Sequence, residues 1–381
     1  MKIDLLYEIQ KPTPHHERSE YEAYWEAMEQ IELADQAGFD TVWCVEHHFL
    51  TGFAHSSAPE VFLAAVAQRT ERIRIGHGVV LLPSPFNHPI RVAERIGALD
   101  ILSNGRVEFG TGRSSGYEQE GFEVPTEESR AMWQEALRMI PRMWATDAFS
   151  HQGTYWNVPE RNVIPKPIQK PHPPLWMAAT SPESWELAGR NGIGCLGLTI
   201  FVSVPQIAER IKAYRAAIRA CTEPAGAVVN EQVGAFTVVH CARTQEQALA
   251  NGGADAAVGY LTYAFKVFAG GLRPDQKPPS EDTRREKDAQ MQEATPYLDL
   301  LKSYPLIPKM MRGEVAFEDI DREDMVVVGD VERCIRKLER YAEAGVDRVL
   351  CLMQAGRIAH EAVLESIDLF GKHVIPHFDR P

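Results

Sequence analysis

Gly38-Phe39-Asp40-Thr41-Val42-Trp43-Cys44-Val45-Glu46-His47-His48-Phe49 carries three signals in one short stretch. Gly38 is a helix stop, because glycine takes the left-handed backbone that ends a helix without steric cost. Thr41 to Val45 is a β-branched and apolar run of strand length. Glu46 to Phe49 then sets a carboxylate and two imidazoles directly after that strand. Parallel α/β folds assemble their sites at the carboxyl ends of strands, so this is a complete unit of such a fold. How often the unit recurs decides between an open sheet and a barrel.

Upstream, Ile3 to Tyr7 reads as an apolar strand and Ser19 to Ala37 as the helix that Gly38 stops. Downstream, Pro59 to Thr70 reads as a helix, Ile73 to Leu82 as a third strand, and Pro89 to Leu102 as a helix ending at the turn Ser103-Asn104-Gly105. Arg106 to Gly110 is a fourth strand. Ser129 to Trp144 is the helix after it, with Met132, Ala136, Met139 and Met143 recurring at helical spacing as a core stripe. Leu175 to Ala179, Gly194 to Leu198 and Val233 to Cys241 give three more strands, separated by helices over Pro182 to Asn191 and Val204 to Cys221. A final helix, capped by Gly329-Asp330 and stopped by Gly345, leads to a strand over Arg348 to Met353 and a closing helix near Ala359 to Gly371. Eight strand-helix units favour the closed α/β fold, a (β/α)8 TIM barrel, over an open sheet. The absence of a Gly-x-Gly-x-x-Gly after the first strand points the same way. Two stretches break the alternation: proline-rich 147–174, expected to be an irregular surface insertion, and charged, glycine- and proline-rich 252–324, expected to be a lid-like insertion. Residues 1–381 are expected to form a single barrel domain with these insertions.

With 381 residues, 44% of them hydrophobic, the chain can bury a large core. Its formal charge of -13 disfavours nucleic acid or an anionic membrane as its main partner, because the mean field repels both. A small molecule is the expected partner, and a local cluster of arginines can still hold one phosphate. The cysteines Cys44, Cys195, Cys221, Cys241, Cys334 and Cys351 show no C-x-x-C pair and no zinc spacing, as expected of reduced buried thiols. No apolar run approaches the roughly 20 residues a membrane helix needs, so a cytoplasmic protein is expected.

The candidates for chemistry are the residues that follow strands. Glu46-His47-His48-Phe49 follows the second, Pro83 to His88 the third, Thr111-Gly112-Arg113-Ser114-Ser115-Gly116-Tyr117 the fourth and Thr180-Ser181-Pro182-Glu183-Ser184 the fifth. Hydroxyl residues before a helix both cap it and offer hydroxyls and free N–H groups to an anion. Ser181 therefore reads either as a plain N-cap or as part of a phosphate site. Arg113 and Arg130 can supply bidentate partners to the same phosphate. Arginine at a helix start opposes the macrodipole, which a bound anion or a salt bridge to Glu127 or Glu128 would offset. His47 is the candidate general acid or base, since imidazole exchanges protons near neutral pH. Paired His47 and His48 also suit a metal, but the other strand ends offer hydroxyls, glycine and arginine, with His88 and His240 outlying, so no metal is expected.

Taken together, several of these stretches resemble bacterial luciferase and its monooxygenase relatives. They are Gly38 to Trp43 running into Glu46-His47-His48-Phe49, Leu81-Leu82-Pro83 with His88-Pro89-Ile90-Arg91 and Ala93-Glu94, Leu99-Asp100 through Gly105-Arg106 to Phe109-Gly110, Ser181-Pro182-Glu183-Ser184, and Gly329 to Val349. The resemblance implies a barrel that holds reduced FMN, lets it react with O2 and transfers one oxygen atom to a small organic substrate. It also implies a separate flavin reductase and a homodimer. By position, His47 matches the family's catalytic histidine, and Arg113, Arg130, Thr180, Ser181 and Ser184 match its flavin phosphate pocket. Gly78-Val79 matches the place where luciferase has a non-prolyl cis peptide behind the flavin ring. Phe49 and Tyr117 are placed on the substrate side, under the 252–324 lid. Two positions depart from luciferase: Gly112 stands where it has a reactive cysteine, and Thr180 where it has a glutamate. A deazaflavin-dependent dehydrogenase or reductase on the same barrel is the alternative. Weaker ones are a metal-dependent hydrolase using His47 and His48, and a silent flavin-binding partner of a heterodimer.

Overall fold

The computed structural model describes residues 1–268, 306, 309–310 and 313–379. Short apolar runs bounded by turn residues form the strands β1 (Lys2–Tyr7), β2 (Thr41–Cys44), β3 (Arg74–Leu81) and β4 (Val107–Gly112). A two-stranded antiparallel hairpin follows, β5 (Phe149–Gln152) and β6 (Asn157–Arg161). The series then continues with β7 (Leu175–Ala179), β8 (Gly194–Leu198), β9 (Val233–Ala242), β10 (Val327–Asp330) and β11 (Arg348–Leu352). Parallel pairing runs β1-β2-β3-β4-β7-β8-β9-β11 and returns to β1, so eight strands close into the expected (β/α)8 barrel. β10 pairs with the far end of β9, Val239 to Ala242, outside the ring.

Helices pack around the ring: α1 (Ser19–Ala37), α2 (Pro59–Arg69), α3 (Pro89–Leu102), α4 (Gly116–Gly121), α5 (Ser129–Ala145), α6 (Pro182–Arg190), α7 (Val204–Arg219), α8 (Gln245–Ala250), α9 (Gly253–Phe268), α10 (Phe317–Arg322), α11 (Val331–Glu343), α12 (His360–Leu369) and α13 (Ile375–Phe378). Gly38 does stop α1, at φ 94° with its N–H on the Ala34 carbonyl. Asp330 caps α11 by accepting from the Arg333 N–H at 2.8 Å.

Strand alternation sorts side chains into two cores. On β1, Ile3, Leu5 and Tyr7 face the helices, whereas Leu6 belongs to the cluster inside the barrel. The floor of the interior is filled by Trp43 and Trp176, packed edge to face with centroids 5.4 Å apart. Each needs a glycine opposite it, because a Cβ at Gly76 would run into Trp43 and one at Gly194 into Trp176. Their indole N–H groups donate to Asp4 at 2.8 Å and to Glu108 at 2.6 Å. Arg348 donates to Asp4 Oδ2 at 2.8 Å and lies 5.1 Å from the Trp176 ring. Burial pushes the Asp4 carboxyl up to about 6 although Arg348 opposes it. Above this floor Leu6, Val45, Leu196, Phe236 and Leu350 make an apolar band.

Several expectations change in detail. Stretch 147–174, expected to be irregular, contains the β5–β6 hairpin. Its strands are short and mostly exposed, so they lack the apolar alternation that marks a buried strand. The six-residue helix α4 was not foreseen, and β4 runs on to Gly112. Within the expected lid, α9 and α10 are helices, while 269–305, 307–308 and 311–312 lie outside the described residues. Cys44, Cys195, Cys241, Cys334 and Cys351 are buried, and Cys221 is half-buried. No described helix is long and apolar enough to cross a membrane.

Removing one member of a buried ion pair strands the other's charge. Arg348→Met is therefore expected to destabilise the fold by about 3–5 kcal/mol, read as a lowered denaturation midpoint. An unchanged midpoint would show that the floor network adds nothing.

Candidate active site

A cavity of about 450 Å³ opens at the carboxyl ends of the barrel strands, within the usual range of roughly 300–1,000 Å³ for small-molecule pockets. Its lining has two polar ends and an apolar middle. Arg113, Arg130, Thr180, Ser181 and Ser184 stand at one end, Glu8, Glu46 and His47 at the other, with Leu6, Met177, Leu196 and Leu350 between. Gly78 and Val79 also line it, and the peptide between them is cis. The β3–β4 register shifts there, between His77 and Val80. Consequently Val79 and Leu81 pack inside the barrel while Val80 and Leu82 pack outside. A Cβ at Gly112 would run into Val79 Cγ2, so the position of the luciferase cysteine has no room for a side chain here.

The first end gathers two arginines and the start of α6. Arg113 donates to Ser129 Oγ at 3.0 Å, and among the described residues no carboxylate forms a salt bridge with it. Burial, then the neighbouring Arg130, push its guanidinium below the usual range, with Glu183 opposing. Arg130 pairs with Glu183 at 2.6 Å, and not with Glu127 or Glu128 as the sequence suggested. Glu183 lies in the first turn of α6, where an acid also suits the helix dipole. Ser181 is the N-cap of α6 in a reciprocal box: its N–H donates to Ser184 Oγ at 3.0 Å, and the Ser184 N–H donates back to Ser181 Oγ at 3.3 Å. Ser181 is thus an N-cap, and both serines also line the cavity. Thr180 is exposed, and its carbonyl accepts from Arg210 at 3.0 Å.

The second end centres on His47. Its Nδ1 lies 2.9 Å from Glu118 Oε1, and its Nε2 lies 3.9 Å from Glu8 Oε2. Glu118 is fully buried and heavily solvated by protein: it accepts from the His48 N–H at 2.8 Å, Ser114 Oγ at 2.6 Å and Ser115 Oγ at 2.8 Å. Burial raises its pKa, but His47 and these donors outweigh that and carry it down to about 2. For His47 the balance is mirrored. Burial lowers its pKa, while the charge and hydrogen bond of Glu118, with Glu8 and Glu46, raise it to about 9. Glu46 accepts from the Leu81 N–H at 2.8 Å and Asn87 at 2.9 Å, tying the end of β2 to β3, and lies 3.4 Å from His48 Nε2. His47 and His48 each turn toward a carboxylate. Among the described residues no three His, Cys, Asp or Glu are grouped to hold a metal ion.

Every residue expected at a catalytic or flavin-binding position therefore lines one cavity, but Phe49 and Tyr117 do not. Phe49 takes φ 65° and its ring lies 5.4 Å from Phe122, exposed to 52%. Phe201, Phe236, Tyr260 and Phe265 supply the aromatic wall in their place. Glu118, Glu8 and Tyr260 escaped the sequence reading. Ser115-x-x-Glu118 has the pattern of a capping box, which it forms, but nothing local reveals its reach to His47. Glu8 directly follows β1, so the rule applied to the other strands would have flagged it. Tyr260 sits in the insertion, where periodicity is weak.

A family model described as luciferase-like monooxygenase matches residues 1–348. The chain is 34% identical over 196 residues to the oxygenase component of a flavin-dependent trigonelline monooxygenase of Acinetobacter baylyi, covering 50% of this chain and 52% of that one. It is 29% identical over 365 residues to limonene 1,2-monooxygenase of Rhodococcus erythropolis, covering 92% and 81%. It is also 34% identical over 170 residues to an F420-dependent glucose-6-phosphate dehydrogenase of Beutenbergia cavernae, covering 42% and 49%. The chain thus spans about half the length of the first and third of these relatives.

Because the folded pKa of His47 lies above its ordinary 6.5, its pairing stabilises fully below about pH 6.5 and is lost as pH rises through about 9. NMR of the imidazole should find it protonated at pH 7.5. In Glu118→Gln the midpoint should drop, since burial is left less opposed. A His47 that is neutral at pH 7.5 in the unaltered protein would contradict this electrostatic account.

Proposed function

The chain belongs to the luciferase-like monooxygenase family, and on that premise we propose that it is the oxygenase component of a two-component system. It would take reduced FMN from a separate reductase and use O2 to place one oxygen atom on a small organic substrate. The observation that carries this reading is Arg113, a half-buried guanidinium beside Arg130 that forms no salt bridge among the described residues, while Glu183 pairs with Arg130. Such a group fits the phosphate of FMN, a charge-assisted and bidentate contact. With the phosphate there, Gly78, Val79 and Leu196 in the apolar middle would hold the ring, between the arginines and His47.

Reduced flavin, when bound, supplies the electrons that activate O2. The chain's own residues do the rest. Arg113 and Arg130 hold the phosphate, with Ser181 and Ser184 shaping the end of α6 and Thr180 beside them. The apolar band excludes water, which protects a reactive centre from hydrolysis and strengthens every charge in the cavity. His47, held by Glu118, moves a proton at Nε2. The aromatic wall of Phe201, Phe236, Tyr260 and Phe265 suits a largely apolar substrate. A cytoplasmic homodimer belongs to the same reading.

A second reading has its own support in the F420-dependent relative: hydride transfer with a deazaflavin, whose phosphate the same arginines would suit. The two part on oxygen. With externally reduced FMN and 18O2 across a substrate panel, the proposal expects one labelled atom in a product, detected by mass spectrometry. No label and no oxygen uptake, with turnover of reduced deazaflavin, would overturn it in favour of the second.

The phosphate assignment is checked separately by comparing reduced FMN with reduced riboflavin, which lacks the phosphate. Arg113→Ala is expected to weaken FMN by about tenfold or more, as loss of one charge-assisted hydrogen bond implies, and to leave riboflavin unchanged. Equal weakening of both would move the phosphate away from Arg113.

A further inference from the structure

His47 has a carboxylate on each ring nitrogen, and the proposal above uses one of them. Glu118 faces Nδ1 at 2.9 Å; Glu8 faces Nε2 at 3.9 Å from the end of β1. Glu8 is 3% exposed at its side chain, and Tyr260 on α9 donates to its Oε1 at 2.8 Å. Its Oε2 is buried and makes no hydrogen bond among the described residues. A neutral imidazole has one donor and one acceptor nitrogen, so between two carboxylates one nitrogen would turn a lone pair toward an acceptor. The doubly protonated ring suits both neighbours. The 3.9 Å gap is too long for a direct hydrogen bond, yet short enough for a strong charge interaction in a buried site.

We propose that Glu8 is a positioning residue that keeps the proton on His47 Nε2, so that His47 works at neutral pH as a proton donor and not as a base. This rests on His47 being the acid–base residue of the proposed oxygenase. The groups that face the pair are Glu118 from α4, Cys44 at the end of β2, Glu46 just after it, and Tyr260 from α9. Among the described residues no lysine or arginine forms a salt bridge with Glu8, Glu46 or Glu118. The imidazolium therefore stands within a group of carboxylates, and Glu8 is the one on the nitrogen turned away from Glu118. When Nε2 gives its proton to an oxygen of the reacting group, the ring is left neutral between two acids, and a proton from solvent restores it. Burial pushes Glu8's own carboxyl up, with His47 and the Tyr260 hydroxyl opposing. The charge of Glu8 and that of His47 thus support each other. Tyr260 links this pair to α9, the helix that opens the 252–324 insertion.

The test is the ionisation of His47 in the full-length protein without flavin, followed by 15N NMR, for the unaltered chain, Glu8→Gln and Tyr260→Phe. Glu8→Gln keeps the shape and removes the charge, and should weaken proton binding by His47 about tenfold or more. Tyr260→Phe removes the donor that favours ionised Glu8 and should move the midpoint the same way by less. A pH profile of turnover should follow, its limb for loss of the acid moving to lower pH in Glu8→Gln. A folded Glu8→Gln with an unmoved His47 titration overturns the proposal. If Glu8→Gln does not fold, an unmoved titration in Tyr260→Phe does so. Because the titration needs no flavin, its outcome is independent of whether reduced FMN binds.

Discussion

The buried Arg348–Asp4 pair, with Asp4 bonded to the Trp43 indole and Arg348 over the Trp176 ring, is the constraint from which the rest of the interior follows. Two indoles and a guanidinium fill the bottom of the barrel, so the interior is a packed core below and a cavity above. Glycines at 76 and 194 are the counterpart of that bulk. The floor also sets the phase of β1. With Asp4 turned inward to Arg348 and Trp43, the pleat brings Leu6 and then Glu8 to the inner face. The same count on β2 carries Trp43, Val45 and His47 upward. Glu8 and His47 meet at the mouth because their strands are neighbours fixed at the bottom.

Between floor and mouth the cavity separates charge. Paired arginines and the start of α6 stand on the β4–β7 side, and the carboxylates around His47 stand on the β1–β2 side. An apolar band keeps the two from neutralising one another. A cavity so arranged orients a long amphipathic cofactor with one anionic end and leaves its other end near a proton source. Low polarity in the middle makes both ends stronger than they would be in water.

Much of this was legible in the sequence because it is local. Gly38 stops α1, Ser181 caps α6 and Asp330 caps α11 by rules that act over a few residues. Eight strands could be counted from apolar runs because parallel strands buried on both faces read as continuous hydrophobic segments. What was hidden is long-range. Glu118 reaches His47 across 71 positions of sequence, and Tyr260 reaches Glu8 across 252. The left-handed turn at Phe49 sent its ring toward Phe122 and away from the cavity, which residue type alone does not disclose. The positions that the family resemblance matches to a flavin phosphate pocket gather at one end of one cavity, because they match by order along the chain. The resemblance was silent on Glu8, which no quoted stretch contained.

We propose this cavity as a reduced-flavin site whose phosphate end is Arg113 and Arg130. Anaerobic calorimetric titration with reduced FMN, repeated in the presence of the reduced deazaflavin cofactor, tests it most directly. The account predicts saturable binding of one reduced FMN per chain that the deazaflavin displaces weakly. Failure of reduced FMN to saturate, with tight binding of the deazaflavin, would contradict it.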